Sequence, residues 1–386
     1  MQLTFYGAAQ TVTGSCHVLE TGDKKIMIDC GMFQGPRLIR ERNYQPFPFA
    51  PSSIDFLLLT HAHIDHSGLV PKLYNQGFRG RALATEATVD LLEVMLPDSG
   101  YIQEMEVERM NRKAKRAGKK LYQPIYTAED AHRCVKNIER VKYNQTVRLD
   151  ENITVRFADA GHILGSSIVE IWVREGNRQT KLVFTGDLGA VGKPYVKDPA
   201  IIEEADYLIM ECTYGNRLHK DKGNRQEKLR QVIQETYDKG GNLIIPAFAV
   251  ERTQDLLYDI SILYNAGKLP PVRVFIDSPM AAAATDVFKR HPECFDKETR
   301  RLIESGEDPL NMPVLHFSRT ADESRALNQI KSGAIILSAS GMCDAGRIRH
   351  HLRHHIWRPQ TTVLLIGYQA PGTLGRLLQD GAARVK

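Results

Sequence analysis

The chain has 386 residues, 42% hydrophobic and 25% charged, with a net charge of +5. That length exceeds one ordinary domain, so two domains are expected, with the composition of a soluble globular protein. No apolar run approaches the ~20 residues a membrane helix needs, which argues against a membrane partner. The N-terminus, Met1-Gln2-Leu3-Thr4-Phe5-Tyr6-Gly7, reads directly as a strand without a signal-peptide layout. Six scattered cysteines, with no Cys-x-x-Cys pair, fit unpaired thiols in a reducing compartment. Cytoplasm is therefore expected. The mild basic balance permits an anionic partner such as nucleic acid without requiring one.

In chain order, the first half alternates apolar strands with short turns. Candidate strands are Lys25 to Asp29, Asp55 to Thr60, Ile153 to Phe157, Leu182 to Thr185 and Tyr207 to Met210. Each ends near a polar residue able to face a common site: Asp29, His61, His162, Asp187 and Glu211. A helical, basic stretch from Glu104 to Lys120 lies between them. It reads as a solvated face or as a phosphate-contact surface. The second half changes rhythm. Helices near Arg225 to Lys239, Thr253 to Ala266 and after Ser278-Pro279 alternate with strands at Asn242 to Pro246, Val272 to Asp277, Ala334 to Ser338 and Thr362 to Ile366. Continuous apolar runs alternating with helices mark a parallel sheet covered on both faces. The seam is expected near Thr213, where Gly215, Asn216 and the run His219-Lys220-Asp221-Lys222 break the apolar pattern.

The densest chemistry is Thr60-His61-Ala62-His63-Ile64-Asp65-His66-Ser67-Gly68, directly after the apolar run Phe56 to Leu59. A strand that empties into His-x-His-x-Asp-His places ligands at the carboxyl end of a sheet, where α/β proteins keep their chemistry. Imidazole with carboxylate favours zinc or a similar metal, and His61/His63 against Asp65/His66 form two ligand points, hence two ions. His162, between glycines in Gly161-His162-Ile163-Leu164-Gly165, supplies a third imidazole. Asp187, in Thr185-Gly186-Asp187, could bridge two metals. Asp29 could hold a ligand histidine by its far nitrogen. The tract His350-His351-Leu352-Arg353-His354-His355 reads as a helix whose His351 and His355 could chelate, although helix-surface or RNA-facing roles are expected. His219 and His291 are expected to be structural.

The order Asp29, His61-x-His63-x-Asp65-His66, His162, Asp187 resembles the metallo-β-lactamase fold hydrolases over the whole first half. Met210-Glu211-Cys212-Thr213-Tyr214-Gly215, Ile245 to Gln254, Ser338 to Met342 and Gly367 to Arg376 are similar to elements of the β-CASP branch, and to its RNA-acting members. That branch includes the eukaryotic pre-mRNA 3′-end processing endonuclease and its bacterial and archaeal relatives. The resemblance implies an α/β protein: a metallo-β-lactamase αββα sandwich over residues 1–212 and a β-CASP α/β domain over 213–386. It implies two zinc ions, one on His61, His63 and His162, the other on Asp65, His66 and bridging Asp187. Catalytic roles fall to Asp65, Asp187 and Glu211. Candidate RNA or phosphate contacts are Arg252, Ser340, Gly341, Arg347, Thr373 and Arg376. The implied activity is hydrolysis of single-stranded RNA by a two-metal hydroxide mechanism, with the RNA between the domains and a homodimer left open. Two further family elements, Ser-Ala-His and His-Gly-Glu, do not occur in residues 1–386. Slower cleavage and a weaker second ion are therefore expected of this chain. The alternatives are an RNA-binding or scaffold subunit with reduced or lost catalysis, and a small-molecule thioester or lactone hydrolase of the same fold.

Overall fold

The computed structural model describes residues 1–217 and 224–385. The run His219-Lys220-Asp221-Lys222 lies outside the described residues. The chain divides into two compact units, Met1–Arg217 and Leu218–Lys386.

The first unit packs two sheets face to face. One has the order β1 (Gln2–Phe5), β2 (His17–Thr21), β3 (Lys24–Ile28), β4 (Phe56–Leu58), β5 (Arg81–Thr85), β6 (Ile138–Val141). Strands β1 to β3 pair antiparallel and β3 to β6 parallel. The other sheet runs β11 (Tyr207–Ile209), β10 (Arg178–Phe184), β9 (Ser167–Glu175), β8 (Ile153–Asp159), β7 (Thr146–Arg148). Their inner faces share one core, with Ile26, Leu58, Leu83, Val155, Phe157, Val169 and Ile171 all fully buried. Short helices α1 (Arg37–Arg40), α2 (Ile64–Ser67) and α3 (Val70–Asn75) connect the early strands, and α4 (Glu86–Arg116) packs along α5 (Ala128–Val135).

Several elements lie outside the sequence reading, β2, β5, β6 and β7 among them, and two departures have a clear physical reason. Helix α4 begins eighteen residues before the expected Glu104, with Thr85 capping its N-terminus and Pro97 inside it. Pro97 reads as a breaker, and the N-terminal half is buried on several sides at Ala87, Val89, Leu91, Leu92 and Leu96, so it lacks an amphipathic stripe. Strand β9 lacks a strand signature in the sequence because its first five residues, including Glu170, are all buried. Period-2 alternation disappears when both faces of a strand are covered.

The second unit is a parallel sheet alternating with helices. Its elements are α6 (Arg225–Asp238), β12 (Leu243–Pro246), α7 (Arg252–Asn265), β13 (Arg273–Ile276), α8 (Pro279–Arg290), α9 (Lys297–Glu304), β14 (Leu315–Phe317), α10 (Ala321–Leu327), β15 (Ala334–Ser338), α11 (Ile348–His355), β16 (Thr362–Val363) and α12 (Leu374–Gln379). The strand order is β14-β13-β15-β12-β16. Every pair is parallel. Ile244, Ile245, Ile276 and Ile336 are fully buried in it, as expected of a sheet covered by helices. His291 is buried beside Glu293, with Nδ1 2.6 Å from Oε1.

Asp277, just past β13, is a buried hub of this unit. It accepts from Arg347 Nη1 at 2.7 Å and Ser324 Oγ at 2.6 Å, and its Oδ2 lies 2.6 Å from His351 Nε2. Burial alone would raise its pKa, but these partners hold it below the usual carboxylate range. Two sequence-level readings change here. Arg347 also donates to Ser318 O and Arg319 O at 3.0 and 3.1 Å, so its guanidinium serves this network rather than an open phosphate loop. His351 and His355 are fully buried, not on the helix surface. Sequence spacing could not reveal either, because Asp277 lies 70 residues from Arg347.

Among the described residues, His355 finds no hydrogen-bond partner for either ring nitrogen. Burial, then the nearby Arg358 and His351, lowers its pKa to about 4. The unfolded chain titrates near 6.5, so it binds a proton that the folded chain refuses between those values. Stability is fully present above pH 6.5 and falls as pH drops toward 4, by about 2 kcal/mol at pH 5. His355→Leu should remove that component. Urea melts at pH 7.5 and 5 should show a loss smaller by about 2 kcal/mol in the variant; equal losses would refute the assignment.

Candidate metal centre

The site grows from strand ends. Strands β3 and β4 are parallel, with Ile28 opposite Leu58, so the residues that follow them emerge on one side of the sheet. Asp29 follows the first and Thr60-His61 the second. Asp29 is 1% exposed. It accepts from Thr60 N at 2.8 Å, from Thr60 Oγ1 at 2.9 Å and from Ser15 Oγ at 3.2 Å. Its Oδ2 also lies 2.7 Å from His66 Nδ1. This carboxylate is a clamp that sequence reasoning had linked to a histidine but not to Thr60 or Ser15.

Thr60 in turn sets the state of His61. Its single hydroxyl proton goes to Asp29, so Oγ1 accepts from His61 Nδ1–H, 3.0 Å away. That leaves the lone pair of His61 on Nε2. This nitrogen is 3.1 Å from His63 Nδ1, which is 3.2 Å from His162 Nε2. Asp187 Oδ2 lies 3.5 Å from His162 Nε2 and 3.9 Å from His61 Nε2, while Oδ1 lies 3.2 Å from His66 Nε2. One ligand atom from each of His61, His63, His162 and Asp187 falls within 4.8 Å of all the others.

Local sequence explains the convergence. His162 rides a loop whose Ser166 hydroxyl accepts from His162 N at 3.0 Å, and Thr88 at the start of α4 donates to Gly165 O at 2.8 Å. Asp187 follows Gly186, whose φ of +54° suits glycine and where a Cβ would come within 2.7 Å of Thr60. Glu211, after β11, accepts from Leu188 N at 3.1 Å and from Thr213 N at 3.3 Å, which ties the Asp187 loop to the next strand. Asp65 is half-buried in α2, outside the group of four, and its carboxylate acts on His63 by charge. A cavity of about 360 Å³ opens beside His66, Asp187, Asp29 and Glu211, with Phe5 and Phe184 among its apolar walls and His17 beside them.

The electrostatics separate the imidazoles. Burial, reinforced by the neighbouring rings, pushes His61 and His162 well below the ordinary histidine range. Burial also lowers His63, against Asp65 and Asp187. All three are neutral at pH 7, the form that binds metal. His66 goes the other way: burial opposes its charge, but Asp29 and Asp187 together raise it well above the ordinary value. Burial would raise Asp187, yet its hydrogen bond to His66 and the surrounding rings hold it far below the usual carboxylate range. Three neutral imidazoles facing one ionised carboxylate fit a zinc-like cation in donor type and number. Cys16 lies outside this group of four, and burial, then Asp29, pushes its thiol up to about 12.

In the second unit, Arg252 opens α7 with Nη1 3.5 Å from Asp255 Oδ2. Ser340 N donates to Ala345 O at 3.1 Å, and Gly341 is buried against Phe248. Thr373 caps α12 by accepting from Arg376 N at 3.2 Å, and Arg376 pairs with Asp380 at 2.8 Å on the surface.

A face-to-face pair of sheets with a His-and-Asp cluster at the strand ends defines a metal-site hydrolase fold. The model of the metallo-beta-lactamase superfamily matches residues 10–235, and that of the Beta-Casp domain matches residues 253–378. The chain belongs to the metallo-beta-lactamase superfamily and to its β-CASP branch. It is 36% identical to Ribonuclease TTHA0252 of Thermus thermophilus, over 97% of this chain and 81% of the relative. An RNase J-like protein of Methanocaldococcus jannaschii is 30% identical, over 100% of this chain and 82% of the relative. The transcription termination factor FttA of the same organism is 30% identical over 99% of this chain, which spans 58% of that factor. Among the described residues no helix is long and apolar enough to cross a membrane.

The Asp29 clamp yields a prediction. Asp29→Asn keeps an acceptor for Thr60 N but loses the charge that orients His66. Metal affinity should fall about 10- to 100-fold, the usual cost of losing a partner behind a ligand. Competition with a chromophoric chelator measures this, and circular dichroism checks the fold. Unchanged affinity in a folded variant would rule the clamp out.

Proposed function

We propose that this protein is a zinc-dependent ribonuclease that hydrolyses phosphodiester bonds of single-stranded RNA. The observation that carries the reading is the convergence of His61 Nε2, His63 Nδ1, His162 Nε2 and Asp187 Oδ2 at neighbouring strand ends. The names of the relatives, two of them ribonucleases, support the substrate class. Residues 1–212 would form the hydrolase domain and 213–386 the β-CASP domain. Cytoplasm is the proposed location, consistent with six free cysteines, five of them buried.

His61, His63 and His162 would hold one zinc ion, and Asp65 and His66 a second, with Asp187 between them. Such ions supply Lewis-acid polarisation of a phosphate and a water acidic enough to ionise near neutral pH. The protein's own residues do the rest. Thr60 keeps the His61 lone pair on Nε2. Asp29 aims His66 Nε2 at Asp187 Oδ1. Glu211, through Leu188 N, fixes the loop that carries Asp187.

Contacts to the RNA backbone would come from Arg252, Ser340, Gly341, Thr373 and Arg376. Support lies in the sheet: β15, β12 and β16 are parallel neighbours, so their carboxyl ends share one edge. The loops bearing these residues follow those ends, where open α/β sheets bind ligands. Among the described residues, the Arg376 guanidinium pairs with Asp380 on the surface, a contact that a phosphate can replace at little cost.

Metal analysis joined to cleavage of a labelled single-stranded RNA tests the proposal. Zinc should co-purify, a chelator should stop cleavage and added zinc should restore it. Asp187→Asn, which removes the carboxylate charge, and His63→Ala, which removes an imidazole ligand, should each lower turnover by at least ~10²-fold. Cleavage that survives the chelator or both substitutions would refute the reading.

A further inference from the structure

Helix α11 turns Ile348, His351, Leu352 and His355 inward. Its other side is built differently. Arg349 and Arg353 are exposed one turn apart, and His350 and His354 form the adjacent row, which Trp357 extends. Trp357 is 70% exposed, with the Arg358 guanidinium 5.2 Å above its ring. No aspartate or glutamate occurs between Asp344 and Asp380, a stretch holding five arginines and four histidines. Among the described residues, the side chains of Arg353, His350 and His354 make no hydrogen bond or ion pair. The face is therefore cationic and not neutralised by its own segment.

We propose that this face of α11 and the turn after it are a second contact surface for single-stranded RNA, on the unit that does not carry the metal centre. The inference rests on RNA being the substrate class. Two physical features select a single strand. An exposed indole offers a flat surface on which any base can stack, and exposed arginines one helical turn apart track a phosphate chain. A duplex hides its bases from such a platform. A second copy of this chain is disfavoured, because two like-charged faces would meet without a carboxylate to separate them. The surface would add length-dependent affinity to a substrate held elsewhere by the metal centre.

Asp187→Asn protein, in which cleavage is strongly slowed, allows binding to be measured before cleavage with a fluorescein-labelled uridine 20-mer. Trp357→Ala should weaken binding roughly 10-fold, and Trp357→Phe, which keeps a stacking ring, should stay within about 3-fold of the parent. Arg349→Ser/Arg353→Ser should reduce the slope of log affinity against log salt by about 1.4, since each lost phosphate contact removes about 0.7 for a single strand. Thermal melting confirms that each variant is folded. Parental affinity and salt slope in the variants would overturn the proposal. So would a change in the sedimentation of the free protein with RNA binding intact, which would make the face a contact between copies. The two readings fail separately. RNA cleaved by the wild-type chain, with binding indifferent to these variants, sinks only the surface. RNA bound through the surface but not cleaved by the zinc-loaded wild-type chain sinks only the ribonuclease, and RNA cleaved after metal removal sinks only its zinc dependence.

Discussion

The candidate metal centre depends on one buried carboxylate. Asp29 sits at the end of β3 with four polar groups pointed at it: Thr60 N, Thr60 Oγ1, Ser15 Oγ and His66 Nδ1. An ionised carboxylate is expensive to bury unless its lone pairs are filled, and here they are. The same bonds that satisfy the charge fix the geometry of the site. One orients His66 toward Asp187, and one, through Thr60, settles which nitrogen of His61 faces the cluster. Satisfying the charge and organising the ligands are one event.

This arrangement makes the centre a product of strand register. In the parallel pair β3 and β4, Ile28 lies opposite Leu58. A slip of one residue would move Asp29 away from Thr60 N and reverse which side chains face inward. The core of Ile26, Ile28, Leu58, Phe157 and Val169 prevents that slip, because each is buried between the two sheets. Packing energy spent far from the ligands thus holds the ligand atoms a few ångströms apart. The loops add finer control through Gly186, Ser166 and Glu211, each of which restrains backbone next to a ligand.

The second unit repeats the device without a metal cluster among its described residues. Asp277 follows β13 as Asp29 follows β3, is fully buried, and gathers a histidine and two further donors. In one unit the gathered histidine turns its other nitrogen toward a carboxylate at the centre. In the other, His351 turns it toward Asn328 at 3.0 Å, which closes the network on itself. The same local chemistry serves a site in one case and tertiary structure in the other. The difference lies in what stands opposite the histidine.

The sequence by itself determined the class of chemistry. His61-x-His63-x-Asp65-His66 after an apolar run, with His162 and Asp187 downstream, carries its meaning in residue type and order, and alternating apolar runs and helices in the second half carry the parallel sheet. Such signals are local, so they survive without coordinates. Only the tertiary structure decided what depends on partners far along the chain. Thr60 and Ser15 matter because Asp29 lies between them, 31 and 14 residues away. Arg347 looked like a free phosphate contact until Asp277 stood beside it. His351 and His355 belonged to a polar-looking tract, yet helical spacing points them inward while Arg349, Arg353 and Trp357 point out. Burial and hydrogen-bond partnership are properties of the folded chain, and a residue's role at this site is set by them as much as by its identity.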